Sequence, residues 1–261
     1  MCCFTADVHV SGTNIYARGQ DDRQIVVYEM QYAAETELAM VLPLPVPPRP
    51  AEDAVAFINL ERCANFFADL RLAFPGDEVL AGGIGHLADL SSKPRTLEVV
   101  QVGSFEATFV PRPEDFARLD ERFRLPADLW LQLNTYRDWG FAVFKLRPGT
   151  RRVHPMAFSF PRRDRARLFF PTLHIHHRRV ERAALFDHSL FCQPEPAMNW
   201  HLQGWDESYG PAGMWVRCAA AKPLFDLEQP LWRRRIEGMH ENVDTWLGRG
   251  GRIPQPAQAL A

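Results

Sequence analysis

Lysine is nearly missing from this 261-residue chain: three lysines stand against 27 arginines, a bias that reflects a GC-rich genome as much as any chemistry. No run of about 18 apolar residues occurs, so no membrane-spanning helix is expected. The first residues, Met1-Cys2-Cys3-Phe4-Thr5-Ala6-Asp7, lack the basic start and apolar stretch of a secretory signal, which points to cytoplasmic residence. No Cys-x-x-Cys pair exists, which removes the zinc knuckle and the thioredoxin-type redox pair. Gly82-Gly83-Ile84-Gly85 is not followed by Lys-Ser/Thr, so it is no phosphate loop. A fixed-period repeat is also missing, which excludes solenoids and collagen. What remains is 46% hydrophobic and 24% charged, too apolar for a disordered chain and sufficient for a large core.

The formal net charge of −2 conceals an asymmetry. Residues 1–144 carry 12 basic and 21 acidic side chains, residues 145–182 carry 11 and 2, and the rest carry 7 and 9. The basic block comprises Lys145 and ten arginines at 147, 151, 152, 162, 163, 165, 167, 178, 179 and 182. Such a block can bind an anionic partner through phosphates or carboxylates. The simpler expectation is that its cations sit in turns and pair with the acidic N-terminal half. Base-stacking signatures are missing, so nucleic acid is not an expected partner.

Hydrophobic patterning favours strands. Residues 3–10 and 13–18 flank Ser11-Gly12 and read as a hairpin. Residues 24–32 and 38–46 are further β-rich runs, the second ending in Pro43-Leu44-Pro45-Val46-Pro47-Pro48, where missing amide hydrogens force the chain off the sheet or along its edge. Residues 139–146, 153–160 and 168–176 form a later strand set. Helical spacing appears over 51–59, 61–72, 113–123, 126–136 and 230–239, with a loop over 76–92 and a short strand near 214–218. The fold class expected is α+β: mostly antiparallel sheets covered by a few helices, with an irregular Trp/Pro-rich C-terminal segment. Residues 1–248 form one globular domain and 249–261 a flexible tail. The strand–turn–strand–proline pattern recurs over 24–45 and 141–161, as two similar β units would.

The run Val26-Val27-Tyr28-Glu29-Met30 with Leu38-Ala39-Met40-Val41-Leu42-Pro43-Leu44-Pro45 resembles an uncharacterised bacterial domain-of-unknown-function family with strand–Leu-Pro-x-Pro blocks. Trp139-Gly140-Phe141-Ala142-Val143-Phe144-Lys145 and the Pro-led strand over 155–160 are similar to its second block. The likeness spans about residues 20–175 and implies no activity; members of that family tend to be exported.

The five cysteines at 2, 3, 63, 192 and 218 are odd in number, which with no secretion signal points to reduced thiols. Removal of Met1 would leave Cys2 as the N-terminal residue, carrying a nucleophilic thiol and an α-amine base together. In a full-length hairpin about Ser11-Gly12, Arg18 and Asp21 fall near Cys2, and a cation there lowers a thiol pKa. Cys2, Gly12, Arg18 and Asp21 are similar in spacing to the N-terminal-nucleophile cysteine hydrolases of the choloylglycine hydrolase and penicillin amidase type. That resemblance implies Cys2 as nucleophile, with Arg18 and Asp21 holding the thiolate and the amine, and a small-molecule amide as substrate. It covers about 20 residues. Gly19 stands where the family has asparagine, and no downstream Asp-Gly-Met-Asn-Glu stretch supplies the oxyanion hole. Asn199 and Asn242 are possible oxyanion donors. The leading reading needs no cofactor.

A second constellation is His174-Ile175-His176-His177, followed by Asp187-His188 and Cys192. Residues i and i+2 share a strand face, so His174 and His176 can grip one metal, with His188 or Cys192 completing the set and Asp187 as ligand or supporting carboxylate. Imidazole with thiolate suits zinc, then copper. The same histidines could equally form a solvated rim beside Arg178 and Arg179. The tryptophans with polar neighbours at 200–207 and 242–246 are expected to pack a loop-rich lid on a sheet rather than line a pocket.

Overall fold

Two-residue alternation decides the architecture. Along one strand Ile15 and Ala17 enter one apolar cluster while Tyr16 enters another. On its neighbour Val26 and Tyr28 join the first cluster, and Ile25 and Val27 the second. A strand buried on both faces must lie in the middle of a layered β structure. The computed structural model describes residues 2–74, 99–103, 105–125, 127–175, 179–195, 202–248 and 251–257.

The strands are β1 (Cys2–Phe4), β2 (His9–Gln20), β3 (Arg23–Ala34), β4 (Leu38–Leu44), β5 (Ala56–Asn59), β6 (Val99–Val102), β7 (Phe105–Val110) and β8 (Gly140–Leu146). They continue with β9 (Gly149–Arg152), β10 (Met156–Pro161), β11 (Arg167–Phe170), β12 (His174–Ile175), β13 (Ala183–Gln193), β14 (Asp206–Pro211), β15 (Pro230–Glu241) and β16 (Thr245–Gly248). One sheet runs β12-β1-β4-β8-β7-β6. The larger runs β14-β15-β13-β2-β3-β10-β5, with β9 also on β3, and β11 and β16 pair by themselves. The two large sheets face each other: Phe144 of β8 lies 5.8 Å from Phe158 of β10 and 5.6 Å from Phe57 beside it.

A second apolar layer covers the outer face of the larger sheet. There Tyr16, Val27 and Phe191 meet Phe66, Phe67 and Leu70 of α1 (Phe66–Arg71), together with Leu224 and Phe225. Cys63 and Cys218, with Cα atoms 5.6 Å apart, form a disulfide between the two segments of this layer. This corrects the expectation of reduced thiols throughout. Cys3 and Cys192 are buried.

The α+β expectation is also corrected. Strands occupy 48% and helix 14% of the structure, and each large sheet is mixed, holding one parallel pair among antiparallel ones. Parallel pairs join β1 to β12 and β2 to β13. The α-helices among the described residues are short: α1 and α2 (Ala127–Gln132) have six residues each. Residues 113–123 form only 3-10 turns, the segment expected as helix over 51–59 yields β5, and the strand expected near 214–218 is instead the link between 3-10 turns at 212–214 and 219–224. The helix expected over 230–239 is strand β15. Leu231 turns to the outer layer and Trp232 and Ile236 to the core between the sheets, an alternation of period two.

The two similar strand pairs do not close into two units. Instead β4 pairs with β8 in one sheet and β3 with β10 in the other. Pro43 sits in β4, where β1 has already ended its pairing at Val41, so the missing amide hydrogen breaks no ladder on that side. Residues 251–257, expected to be part of a free tail, are tied along β15: Glu241 N donates to Gln255 O and Ala257 N to Met239 O.

Candidate functional site

The first consequence of this topology concerns Cys2. The hairpin expected around Ser11-Gly12 does not form, because β2 runs straight through it, with Gly12 at φ +62° and a register shift between Ser11 and Asn14. Its antiparallel partner is β3, and β1 belongs to the other sheet. Arg18 therefore lies between Ile25 and Gln193. Asp21 occupies the tight β2–β3 turn at φ +54°, its carbonyl accepting a 2.6 Å hydrogen bond from Arg162. Neither is brought to Cys2.

What the fold brings to Cys2 is His174. β1 and β12 pair in parallel with Cys2 opposite His174 and Cys3 opposite Ile175, one strand spacing of about 4.8 Å. The two residues were candidates for separate chemistries, and they meet on adjacent strands.

β12 is only two residues long, and side chains from 242–245 hold the chain there. Asn242 Oδ1 accepts from His174 N at 2.7 Å, and its Nδ2 donates to His174 O at 2.8 Å and to Glu181 O at 2.9 Å. The amide thus imitates a neighbouring strand, and it is committed to backbone rather than free as an oxyanion donor. Asp244 Oδ1 accepts from Thr172 N and Leu173 N, both at 3.0 Å, and its Oδ2 accepts from the Tyr136 hydroxyl at 2.5 Å. Burial, then the Asp244 charge, pushes the Tyr136 phenol far above its ordinary value, so it stays a donor. Thr172 Oγ1 closes the set with 3.0 Å and 2.8 Å contacts to Val243 O and Thr245 Oγ1.

The His174 ring packs on that of His188 with centroids 4.7 Å apart, and both touch Phe186. His188 lies on β13, parallel-paired with Thr13. Its side chain is fully buried, and neither ring nitrogen has a hydrogen-bond partner among the described residues. Asp187 Oδ1 stands 3.7 Å from Nδ1. Burial first, then His174, holds the His188 imidazole well below its usual value, so it is neutral. His176 and Asn199 lie outside the described residues, as does the loop expected over 76–92. Among the described residues no three His, Cys, Asp or Glu side chains gather as a metal cluster. Cys192 is fully buried and its thiol is pushed up by that burial, which leaves it inert.

The neutral His188 has a consequence for stability. Its folded pKa is depressed, so the unfolded chain takes up a proton that the folded chain refuses. Stability is complete above the unfolded imidazole value of about 6.5 and falls as pH drops below it, by at most about 1.4 kcal/mol per pH unit for one group. His154, depressed by burial, acts in the same direction. Chemical denaturation in mildly acidic and neutral buffer should show this loss, and His188→Phe should reduce it; equal slopes in both proteins would refute the assignment.

Four cations of the basic block are neutralised. Arg162 pairs with Glu195, Arg163 with Asp138, Arg167 with Asp164, and Lys145 with Glu37 and Glu106. Only Arg163 and Lys145 find their partners in the acidic N-terminal half; Arg162 and Arg167 pair with carboxylates at 195 and 164, outside it.

Fold and site together define a layered β protein whose second residue stands beside a buried histidine pair. No family model matches the chain, and no curated protein matches it. Among solved structures it is similar to the crystal structure of baculovirus P35, at 10% identity and a TM-score of 0.44 over 95% of this chain and 99% of that one. A mutated baculovirus P35 after caspase cleavage gives 12% and 0.44, over 91% and 99%. The caspase-8/P35 complex gives 9% and 0.43, over 91% and 96%. No helix among the described residues is long and apolar enough to cross a membrane.

Proposed function

We propose that Cys2 is the nucleophile of a cysteine-dependent acyl-transfer enzyme, an amidohydrolase by reaction type, acting on a small-molecule amide after removal of Met1. The observation that carries this is the Cys2–His174 register. The thiol proton passes to the imidazole and the thiolate attacks the carbonyl carbon. The carbon–nitrogen bond then breaks, the amine leaves with the proton from the imidazole, and water hydrolyses the thioester. Arg18 and Asp21, on the other sheet, take no part. Cytoplasmic residence, expected from the sequence, sits poorly with the Cys63–Cys218 disulfide, because such bonds persist in oxidising compartments.

Iodoacetamide without reductant tests the reading directly. Two cysteines are blocked as a disulfide and Cys3 and Cys192 are buried, so Cys2 should be modified first. Cys2→Ala should abolish hydrolysis of activated esters and amides, and His174→Gln should slow it by roughly 10²-fold or more. Retention of Met1 in the intact mass, or faster labelling of Cys3, would overturn it.

One observation favours a second reading. The buried, unpartnered nitrogens of His188 beside His174 are the donor chemistry of a zinc or copper site. Elemental analysis of the same untagged protein decides it: stoichiometric metal lost in His188→Phe supports it, and sub-stoichiometric metal removes it.

A further inference from the structure

The outer layer holds a segment that neither reading uses. Residues 212–229 leave β14 at Pro211 and enter β15 at Pro230, and those two prolines stand opposite each other in the sheet. The segment is therefore an excursion whose ends are already closed. Across its base Ala212 N donates to Gln229 O at 2.8 Å and Gly213 N to Leu227 O at 2.9 Å. It contains 3-10 turns at 212–214 and 219–224 and no strand. Surface excursions with adjacent ends can move without disturbing the elements they connect.

Its two halves are held differently. The returning half is anchored on the sheet: Gln193 Oε1 of β13 accepts from Asp226 N at 2.9 Å, its Nε2 donates to Asp226 O at 2.7 Å, and Phe225 lies 4.5 Å from Tyr16 of β2. In the outgoing half, 213–220, Val216 alone is buried. That half reaches α1 through Arg217, 3.9 Å from Asp69 and 68% exposed, which makes a weak ion pair. Its strong attachment is Cys218, bonded to Cys63 just ahead of α1. The closed position also carries a cost, because Trp215 Nε1 is buried with no hydrogen-bond partner among the described residues. Opening returns that donor to water.

We propose that residues 213–220 are a redox-controlled flap and that Cys63–Cys218 is its latch, opened by a small thiol such as glutathione. Cys63 is 2% exposed and Cys218 is partly exposed, so the incoming thiolate attacks Cys218 Sγ. The sulfur–sulfur bond breaks, Cys63 leaves as a thiolate and takes a proton, and a second thiol displaces Cys218 from the mixed disulfide. Two glutathione molecules are oxidised to their disulfide while the latch gains two electrons and two protons. Oxidised glutathione closes it by the reverse steps. In the reduced chain the anchored half stays in place, while Trp215 and Val216 leave the apolar layer they share with α1.

Hydrogen exchange on the full chain, in reduced and then in oxidised glutathione, tests this. The amides to follow are those of Trp215 and Val216, both hydrogen-bonded to Ala212 O in the closed flap. Reduction should speed their exchange roughly tenfold or more, leave β2 and β13 protected, and be undone by oxidised glutathione. Iodoacetamide should then label Cys218 in the reduced chain and not in the oxidised one. Cys218→Ser should exchange fast at these amides in both buffers, and Trp215→Phe, with no indole N–H to satisfy, should slow the flap of the reduced chain. A bond that resists reduced glutathione, unchanged exchange at Trp215 and Val216 after reduction, or simultaneous loss of protection in β2 and β13 would overturn the proposal. Should Cys218→Ser fail to fold, the reversible response of the parent chain decides by itself. Cys2→Ala should show the same response, so failure of the acyl-transfer reading leaves this result independent.

Discussion

Reducing the Cys63–Cys218 disulfide should destabilise the folded chain by up to about 5 kcal/mol, the chain-entropy value for a loop of this length. The two cysteines are 155 residues apart in sequence, so the bond removes much of the freedom of the unfolded chain. It also joins both segments that build the outer layer, Cys63 just before α1 and Cys218 just before the 219–224 turn. Guanidinium unfolding with and without reductant measures the difference, and Cys63→Ser should reproduce the reduced midpoint. Free-thiol titration is the direct check. If Cys63 and Cys218 both react in the native protein without reductant, the cross-link is not there.

Replacing Asp244 with alanine should cost about 3–5 kcal/mol. Three buried donors, the amides of Thr172 and Leu173 and the hydroxyl of Tyr136, lose one shared acceptor, and each unsatisfied group costs about 1–3 kcal/mol without full additivity. Asp244→Asn should recover part of the loss, since its oxygen can still accept from the two amides. The effect should reach β12, because Asn242 and Asp244 hold the chain there in place of a neighbouring strand. Hydrogen exchange at 172–175 should accelerate in Asp244→Ala before the rest of the protein unfolds. A stability within about 0.5 kcal/mol of the parent, typical of surface substitutions, would refute the role.

The strands that later become β3, β4, β8 and β10 are readable as apolar runs ended by turn residues and proline. Their local chemistry is strong: β-branched and aromatic side chains buried on both faces leave no good alternative. β15 is the opposite case. The consecutive Arg233, Arg234 and Arg235 hide its alternation, and only pairing with β13 gives the segment its period of two. Gly12 misleads in another way. A Ser-Gly pair between β-rich runs has the chemistry of a tight turn, and the same positive φ serves equally in a strand irregularity.

The candidate site shows the same division. Cys2, His174, His188 and Asn242 could each be named from residue type, because thiols, imidazoles and amides have few roles in an apolar setting. Their grouping could not be read, and the placement of Arg18 and Asp21 beside Cys2 fell with the assumed hairpin.

Composition and periodicity were thus enough to establish a large apolar core, many short strands, an acidic first half offset by one basic block, and thiols and imidazoles worth testing. The partners of those strands, the disulfide across 155 residues and the meeting of Cys2 with His174 came from the folded chain. The reason is physical. A strand's propensity is set by its own side chains, whereas its neighbour is chosen by competition among all strands to bury their faces, and a parallel pair such as β1 with β12 has no turn between its members to record that choice.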